Sequence, residues 1–104
     1  MLMGKVVGTV VSTQKEPGLA GFKLLIVQNV DMDLQLQSSY VIAADAVGAG
    51  MGELVIVVQG SSARMCQQTL QKPVDAAICA IVDSLEYQGK IIYRKFSDQH
   101  VVST

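Results

Sequence analysis

The sequence predicts an all-β domain, a small closed barrel of five strands with one short helix and a C-terminal β-hairpin. Short apolar runs rich in β-branched residues recur along the 104 residues, each bounded by glycine, proline or polar residues. Only one segment has the spacing of an amphipathic helix. Because we find no internal repeat, linker or low-complexity segment, we expect residues 1–104 to form a single domain.

The first two strands are predicted over residues 5–13 and 22–30. The first contains four valines and two threonines. The second contains Leu24-Leu25-Ile26-Val27, a run more continuous than a strand with one face in water would show. Pro17 and Gly18 mark the turn between the two strands.

A polar hairpin arm over residues 31–39 leads to a third strand over residues 40–44. The arm begins Asp-x-Asp-x-Gln, which is similar to the start of a calcium-binding loop. However, Leu36 occupies the position that must be glycine, and Ile42 occupies that of the bidentate glutamate. We therefore expect a solvated loop with no metal.

The most informative segment is the glycine loop, residues 45–53, which precedes a fourth strand over residues 53–59. Glycines at alternate positions suit a backbone that takes positive φ or approaches another backbone closely. A strand follows them rather than a helix, so no helix N-terminus faces a phosphate, and Glu53 would repel one. The loop is therefore not expected to bind a nucleotide or any other cofactor.

Ser61 is a candidate cap for the short helix, in which Ala63, Cys66 and Leu70 would lie on one face. Pro73 ends this helix, and a fifth strand is predicted over residues 76–85. A turn at residues 87–90, a return strand at 91–93 and a loose tail at 96–104 complete the chain. A helix between the fourth and fifth strands is typical of oligonucleotide-binding (OB) barrels.

Composition argues for self-association. Hydrophobic residues make up 50% of the chain, and charged residues 16%, against about 25% in typical domains. Such a domain is expected to bury part of its outer surface against copies of itself. A net charge of -1 gives no general attraction to nucleic acid, and no apolar run is long enough to cross a membrane. Cys66 and Cys79 are expected to be reduced core thiols of a cytosolic protein.

Few residues are candidates for a catalytic, cofactor-binding or metal-binding role. His100 is the only histidine and lies in the tail. In one interpretation, Asp45 and Glu53 form a catalytic acid–base pair. We favour the alternative, in which both carboxylates accept hydrogen bonds from loop N–H groups or from Arg64. Asp83 interrupts the apolar fifth strand, so it either lies at the barrel end or pairs with a cation such as Arg64, within the subunit or across a boundary. We therefore predict no catalytic, cofactor or metal site.

The chain resembles a known family in several segments that occur in order. These are Val6-Val7-Gly8-Thr9-Val10-Val11, Leu24-Leu25-Ile26-Val27-Gln28, Asp45-Ala46-Val47-Gly48-Ala49-Gly50-Met51-Gly52-Glu53, Gly60-Ser61-Ser62-Ala63-Arg64 and Pro73-Val74-Asp75-Ala76. On these residues the chain is similar to the bacterial microcompartment vertex proteins, the EutN/CcmL family. The resemblance extends from residue 4 to about residue 87.

The resemblance implies a structural protein, not an enzyme, whose homopentamers occupy the vertices of a polyhedral shell in the bacterial cytoplasm. Hexameric shell proteins of the facets would be its partners, and a catabolic compartment is favoured over a carboxysome. It also implies that the loop lies at the subunit boundary near the five-fold axis and that Met51 faces the axial opening. The loop residues expected there are Gly48, Ala49, Gly50, Met51, Gly52 and Glu53. Arg64 and Asp83, with Asp45, are expected in the polar part of the boundary.

Two other function classes stay open from the residues alone. An OB-type module could bind a nucleic acid or a small ligand, although the near-neutral charge and the scattered aromatic residues count against it. An enzyme could use Asp45 and Glu53, which would require a cleft containing a strongly shifted carboxylate.

Overall fold

Five strands close into a barrel in the order β1-β2-β3-β5-β4, and β4 pairs back with β1. The computed structural model describes residues 1–13, 15, 17–19, 21–66, 69, 70 and 72–95. The barrel strands are β1 (Leu2–Val10), β2 (Leu24–Val30), β3 (Leu36–Asp45), β4 (Leu54–Gln59) and β5 (Ala76–Ile81). Strands β6 (Ser84–Tyr87) and β7 (Lys90–Arg94) form a separate two-stranded sheet. The predicted all-β barrel with a C-terminal hairpin is therefore confirmed.

All neighbouring barrel strands are antiparallel except β3 and β5. These two run parallel and share only the pairs Ala44–Ala77 and Asp45–Ile78. The contact lies at the end of β3, immediately before the glycine loop. The loop therefore begins where the barrel closes between its third and fifth strands.

The barrel interior is filled by side chains that alternate along the strands with outward-facing ones. The main cluster includes Val6, Leu25, Val27, Val55 and Ile78, which are at most 1% exposed. A second, smaller cluster of Ala44, Ala63, Val74 and Ala77 packs beneath the segment between β4 and β5. None of the described residues of the β6–β7 hairpin belongs to either cluster.

The predicted short helix begins as a 3-10 helix, Gly60–Arg64, and two details of its prediction were wrong. Ser61 lies inside it, while the preceding cap residue, Gln59, makes no side-chain capping bond. Leu70 is 58% exposed and does not share the buried environment of Ala63. The buried Thr69 hydroxyl donates to the Ala63 carbonyl at 2.5 Å, which ties Thr69 to this helix.

Several strand boundaries also differ from prediction, and the differences are largest for three strands. Strand β1 starts at Leu2 and ends at Val10, since Leu2 pairs with Val57 of β4. Strand β3 starts at Leu36, because the polar arm continues the ladder through the pair Val30–Leu36. Strand β5 ends at Ile81, and Leu85 belongs to β6. A second 3-10 helix, Pro17–Leu19, occupies the predicted turn, and the predicted tail with His100 lies outside the described residues.

Candidate functional site

The glycine loop is held at its first residue by an aspartate turn. Asp45 Oδ1 accepts hydrogen bonds from the backbone N–H groups of Val47 at 3.1 Å and Gly48 at 3.0 Å. The Ala46 N–H also donates to the carbonyl of Ile78 on β5, at 3.3 Å. Because Asp45 already accepts two loop N–H groups, it acts as a structural acceptor, as the preferred interpretation predicted.

Two of the three loop glycines are required by backbone conformation. Gly48 has φ of +77° and Gly52 has φ of +81°, a region that residues with a Cβ rarely adopt. Gly50 is different, because its φ is not positive and a Cβ built on it would lie 3.5 Å from Glu53 Oε1, an ordinary contact. Among the described residues there is therefore no steric reason for glycine at position 50.

Ala49 and Met51, which flank Gly50, face opposite environments. Ala49 is 1% exposed and belongs to the main core cluster, so its side chain anchors the loop to the barrel. Met51 is 59% exposed at the outer turn of the loop. The size limit at Ala49 is thus set within the subunit, whereas Gly50 and Met51 are free to contact another molecule.

Glu53 ties the end of the loop to two other parts of the chain. Its Oε1 accepts the Gly50 N–H at 2.6 Å, and its Oε2 pairs with the ammonium group of Lys95. The backbone of the same region bonds to β1, since the Gly52 N–H donates to the Val6 carbonyl and the Val6 N–H donates to the Glu53 carbonyl. The loop is therefore fixed against both the barrel and the chain beyond β7.

In the ion pair of Glu53 and Lys95, each group stabilises the charged form of the other. The Lys95 ammonium, followed by the Gly50 N–H, lowers the pKa of Glu53 below its ordinary value of 4.5. The hydrogen bond to Glu53 raises the pKa of Lys95 above its ordinary value of 10.5. Both groups are therefore charged at neutral pH. A carboxylate held in this state is not poised as a general acid, so the acid–base interpretation of Asp45 and Glu53 gains no support.

Lys95 was missed by sequence reasoning. It lies 42 residues from Glu53 and follows the hairpin, so no local spacing connects the two. The predicted cation, Arg64, is exposed and forms no ion pair with Asp45, Glu53 or Asp83, all of which lie in the described ranges.

Asp83 lies at the barrel end, as one of its two predicted interpretations requires. It lies two residues after Ile81, the last residue of β5, and is exposed. Its backbone carbonyl accepts the Lys95 N–H at 2.8 Å. Arg64 and Asp83 do not pair within the subunit, so both side chains are available to a neighbouring molecule.

Among the described residues we find no other candidate for a catalytic or metal-binding site. No group of three or more potential metal ligands occurs there. Cys66 and Cys79 are free thiols, and burial raises the pKa of Cys79, which keeps it protonated at neutral pH. Among these same residues, no helix has the length and apolar character needed to cross a bilayer.

Several large apolar side chains are exposed on the outer surface of the subunit. Two of them, Tyr40 and Ile42, lie on the outer face of β3 and are 59% and 54% exposed. In the register of β2 and β3, Ile42 lies opposite Ile26, which is half-buried. Others occur on the loop, on the hairpin and next to the 3-10 helix (Val47, Met51, Tyr87, Ile91 and Met65).

The chain matches a family and several of its individual members. Residues 1–83 match the family model described as "Ethanolamine utilisation protein EutN/carboxysome" (EutN_CcmL). The chain is 48% identical over 101 residues to the carboxysome shell vertex protein CcmL of Nostoc sp. (strain PCC 7120), covering 96% of this chain and 99% of the relative.

Solved structures extend the similarity to the whole fold. The structure of Gloeobacter violaceus CcmL superposes with a TM-score of 0.88 at 41% identity, covering 93% of this chain and 100% of that chain. The GrpN pentameric microcompartment shell protein from Rhodospirillum rubrum gives a TM-score of 0.77 at 48% identity, covering 84% of this chain and 99% of that chain.

Proposed function

Because the chain belongs to the EutN/CcmL family of microcompartment shell vertex proteins, we propose that it acts as a homopentamer that closes the corners of a polyhedral shell. The observation that carries this proposal is the match to proteins named as shell vertex proteins over nearly the whole chain. A relative described as a pentameric shell protein supports a ring of five.

The mechanism follows from geometry rather than from chemistry. A flat sheet tiled by hexamers cannot close on itself, whereas a pentamer at each corner introduces the curvature that closure needs. Subunits that meet head to tail form a closed ring only when the rotation between neighbours divides the full circle. The function of this chain is therefore to set that rotation accurately, with hexameric facet proteins as its partners in the shell.

The glycine loop is the proposed place where neighbouring subunits approach most closely. Glycine is required by φ at positions 48 and 52, but none of the residues that the structure describes requires it at position 50. Close approach of a second backbone would account for glycine there. Met51, exposed beside it, is then placed to face the axial opening.

Arg64 and Asp83 are proposed to complete the polar part of the boundary. Both are exposed, and they do not pair with each other within the subunit. A head-to-tail contact presents different surfaces of two copies to each other, which allows Arg64 of one copy to meet an acidic group of the next. Asp45 has a smaller role in this proposal, because its Oδ1 is already used inside the loop.

The remaining expectations follow from the shell role. We propose that the protein has no catalytic activity of its own and resides in the bacterial cytoplasm, within the microcompartment shell. The sequence favoured a catabolic compartment. That preference stays a prediction, because a carboxysome vertex protein and the microcompartment vertex protein EutN match over 96% and 91% of the chain, respectively.

Shell assembly tests this function. Facet proteins from the same bacterium would be produced with and without the chain, and the particles examined by electron microscopy. We expect closed polyhedra when the chain is present, and open sheets or tubes when it is absent. Equal numbers of closed polyhedra in both samples would contradict a vertex function.

A further inference from the structure

The contact between Lys95 and Glu53 joins two parts of the molecule that the barrel alone would leave separate. Glu53 ends the glycine loop, and Lys95 immediately follows β7 of the C-terminal hairpin. The side chains are 22% and 25% exposed, respectively, so water screens the pair only in part. A charge-assisted bond in such a setting is stronger than one between freely solvated groups.

The hairpin needs such a contact. A two-stranded sheet is marginally stable on its own in water, and no described residue of β6 or β7 belongs to the core clusters. A backbone bond from the Val82 N–H to the Leu54 carbonyl links its base to the barrel, whereas the bond from the Lys95 N–H to the Asp83 carbonyl closes the hairpin itself. The Lys95 side chain adds a link to the glycine loop.

The loop also depends on this lysine through Glu53. The carboxylate that pairs with Lys95 also accepts the Gly50 N–H through its other oxygen. Without the ammonium group, a carboxylate that is mostly covered by protein would lose its cation and gain freedom to turn toward water. The Gly50 N–H would then lose its acceptor, and the turn from Gly50 to Glu53 would loosen.

We propose that Lys95 is a positioning residue for the glycine loop, which acts through Glu53 to hold Gly50 and couples the C-terminal hairpin to the loop. The effect on the loop is a property of the single subunit. Its consequence for ring assembly rests on the proposed function, because the loop affects the ring only if it lies at the subunit boundary.

The first test is hydrogen exchange at the Gly50 amide in the full chain. We expect Lys95→Gln to speed exchange of this amide by about threefold or more, because its acceptor is no longer held. Lys90→Gln removes the same charge from the exposed turn of the same hairpin and serves as the control. Lys95→Arg retains a cation and is expected to restore most of the protection. Equal exchange rates in all four proteins would overturn the proposal.

Dilution of the assembled ring separates this proposal from the proposed function. We expect the Lys95→Gln ring to dissociate at a concentration about threefold or more above that of the wild type and of Lys90→Gln. If the wild-type chain forms no ring at all, the proposed function fails, while the exchange rate at Gly50 still decides the role of Lys95.

A measurement on the wild-type protein covers the case in which Lys95→Gln does not fold. The Gly50 amide chemical shift would be followed during acid titration, with the nearby groups Asp83 and Tyr93 monitored in the same spectra. We expect the Gly50 shift to follow protonation of Glu53 with a midpoint below 4.5, the ordinary value of a glutamate. A midpoint at or above 4.5, or no response, would overturn the proposal.

Discussion

The backbone N–H of Gly50 donates to Glu53 Oε1 with a nitrogen–oxygen distance of 2.6 Å, and this bond closes the turn of the glycine loop. The same carboxylate pairs with Lys95 through Oε2. One side chain thus connects the loop, the end of the hairpin and the start of β4. A loop rich in glycine would otherwise be expected to sample many conformations.

Removing the Glu53 charge should destabilise the protein in a manner that depends on pH. Glu53→Gln is expected to lower the melting temperature by about 2–4 °C at pH 7, with both proteins at equal concentration. The pKa of Glu53 is lowered in the folded state, so its contribution is complete above about pH 4.5 and is lost as pH falls through the folded pKa.

Thermal unfolding of wild type and Glu53→Gln at pH 7, 4.5 and 3 checks this expectation. The difference between the two melting temperatures should be largest at the two higher pH values and smaller at pH 3. A difference that stays constant down to pH 3 would show that the charge of Glu53 contributes nothing.

Conformation distinguishes the three loop glycines. Gly48→Ala and Gly52→Ala should each lower the free energy of unfolding by about 1–2 kcal/mol, because both residues have positive φ. Gly50→Ala should cost less than about 0.5 kcal/mol within the subunit, because its Cβ would make an ordinary contact. Denaturant unfolding of the three variants gives the comparison, and equal losses at all three positions would refute this distinction.

A bulky residue at position 50 should affect assembly more than folding. Gly50→Trp is expected to leave the barrel folded, as judged by circular dichroism, while it abolishes the ring in native gels. Asp33→Trp places the same side chain on the exposed turn between β2 and β3 and should leave the ring intact. A Gly50→Trp protein that still forms the full ring would argue against close approach of backbones at the loop.

Gly4 is predicted to stabilise the barrel, because its neighbours leave no room for a side chain. A Cβ on Gly4 would lie 2.7 Å from the backbone carbonyl oxygen of Gln28 and closer still to Val27 Cγ1, so Gly4→Ala should cost about 1–3 kcal/mol. Gly8→Ala is the matched control on the same strand. Its Cβ would lie 3.1 Å from Ile26 Cδ1, the end of a flexible side chain. Denaturant unfolding should show the larger loss for Gly4→Ala, and the reverse order would contradict the packing described here.

The strands that sequence predicted best are those whose side chains fill the barrel. Val6, Leu25, Val27 and Val55 lie in apolar, β-branched runs, and burial of those runs is what forms the sheet. The start of β3 was not predictable in this way, because residues 36–39 are mostly polar. They are held by cross-strand bonds such as Asn29 Nδ2 to Ser39 Oγ at 2.7 Å, which hydropathy does not reveal.

The end of β5 was not predictable either, in this case because apolar residues lie on both sides of it. Apolar residues resume at Leu85 after Asp83 and Ser84, which favoured one continuous strand, but a second sheet begins with β6 at Ser84. A hydropathy pattern indicates which residues are buried but not where the chain changes direction, so it does not distinguish one long strand from two short ones.

The candidate site was predicted in part. Asp45 and Glu53 accept hydrogen bonds from loop N–H groups, as expected from carboxylates at the edges of a glycine loop. The lysine that pairs with Glu53 could not be found, because the contact depends on where the hairpin returns the chain after β7. Boundary roles for Arg64 and Asp83 stay predictions.

Native mass spectrometry of the purified chain tests the central claim most directly. Five copies of the 11.1 kDa chain predict a complex of about 55 kDa that persists at micromolar concentration. A stable species of 11.1 kDa under the same conditions would contradict a pentameric vertex.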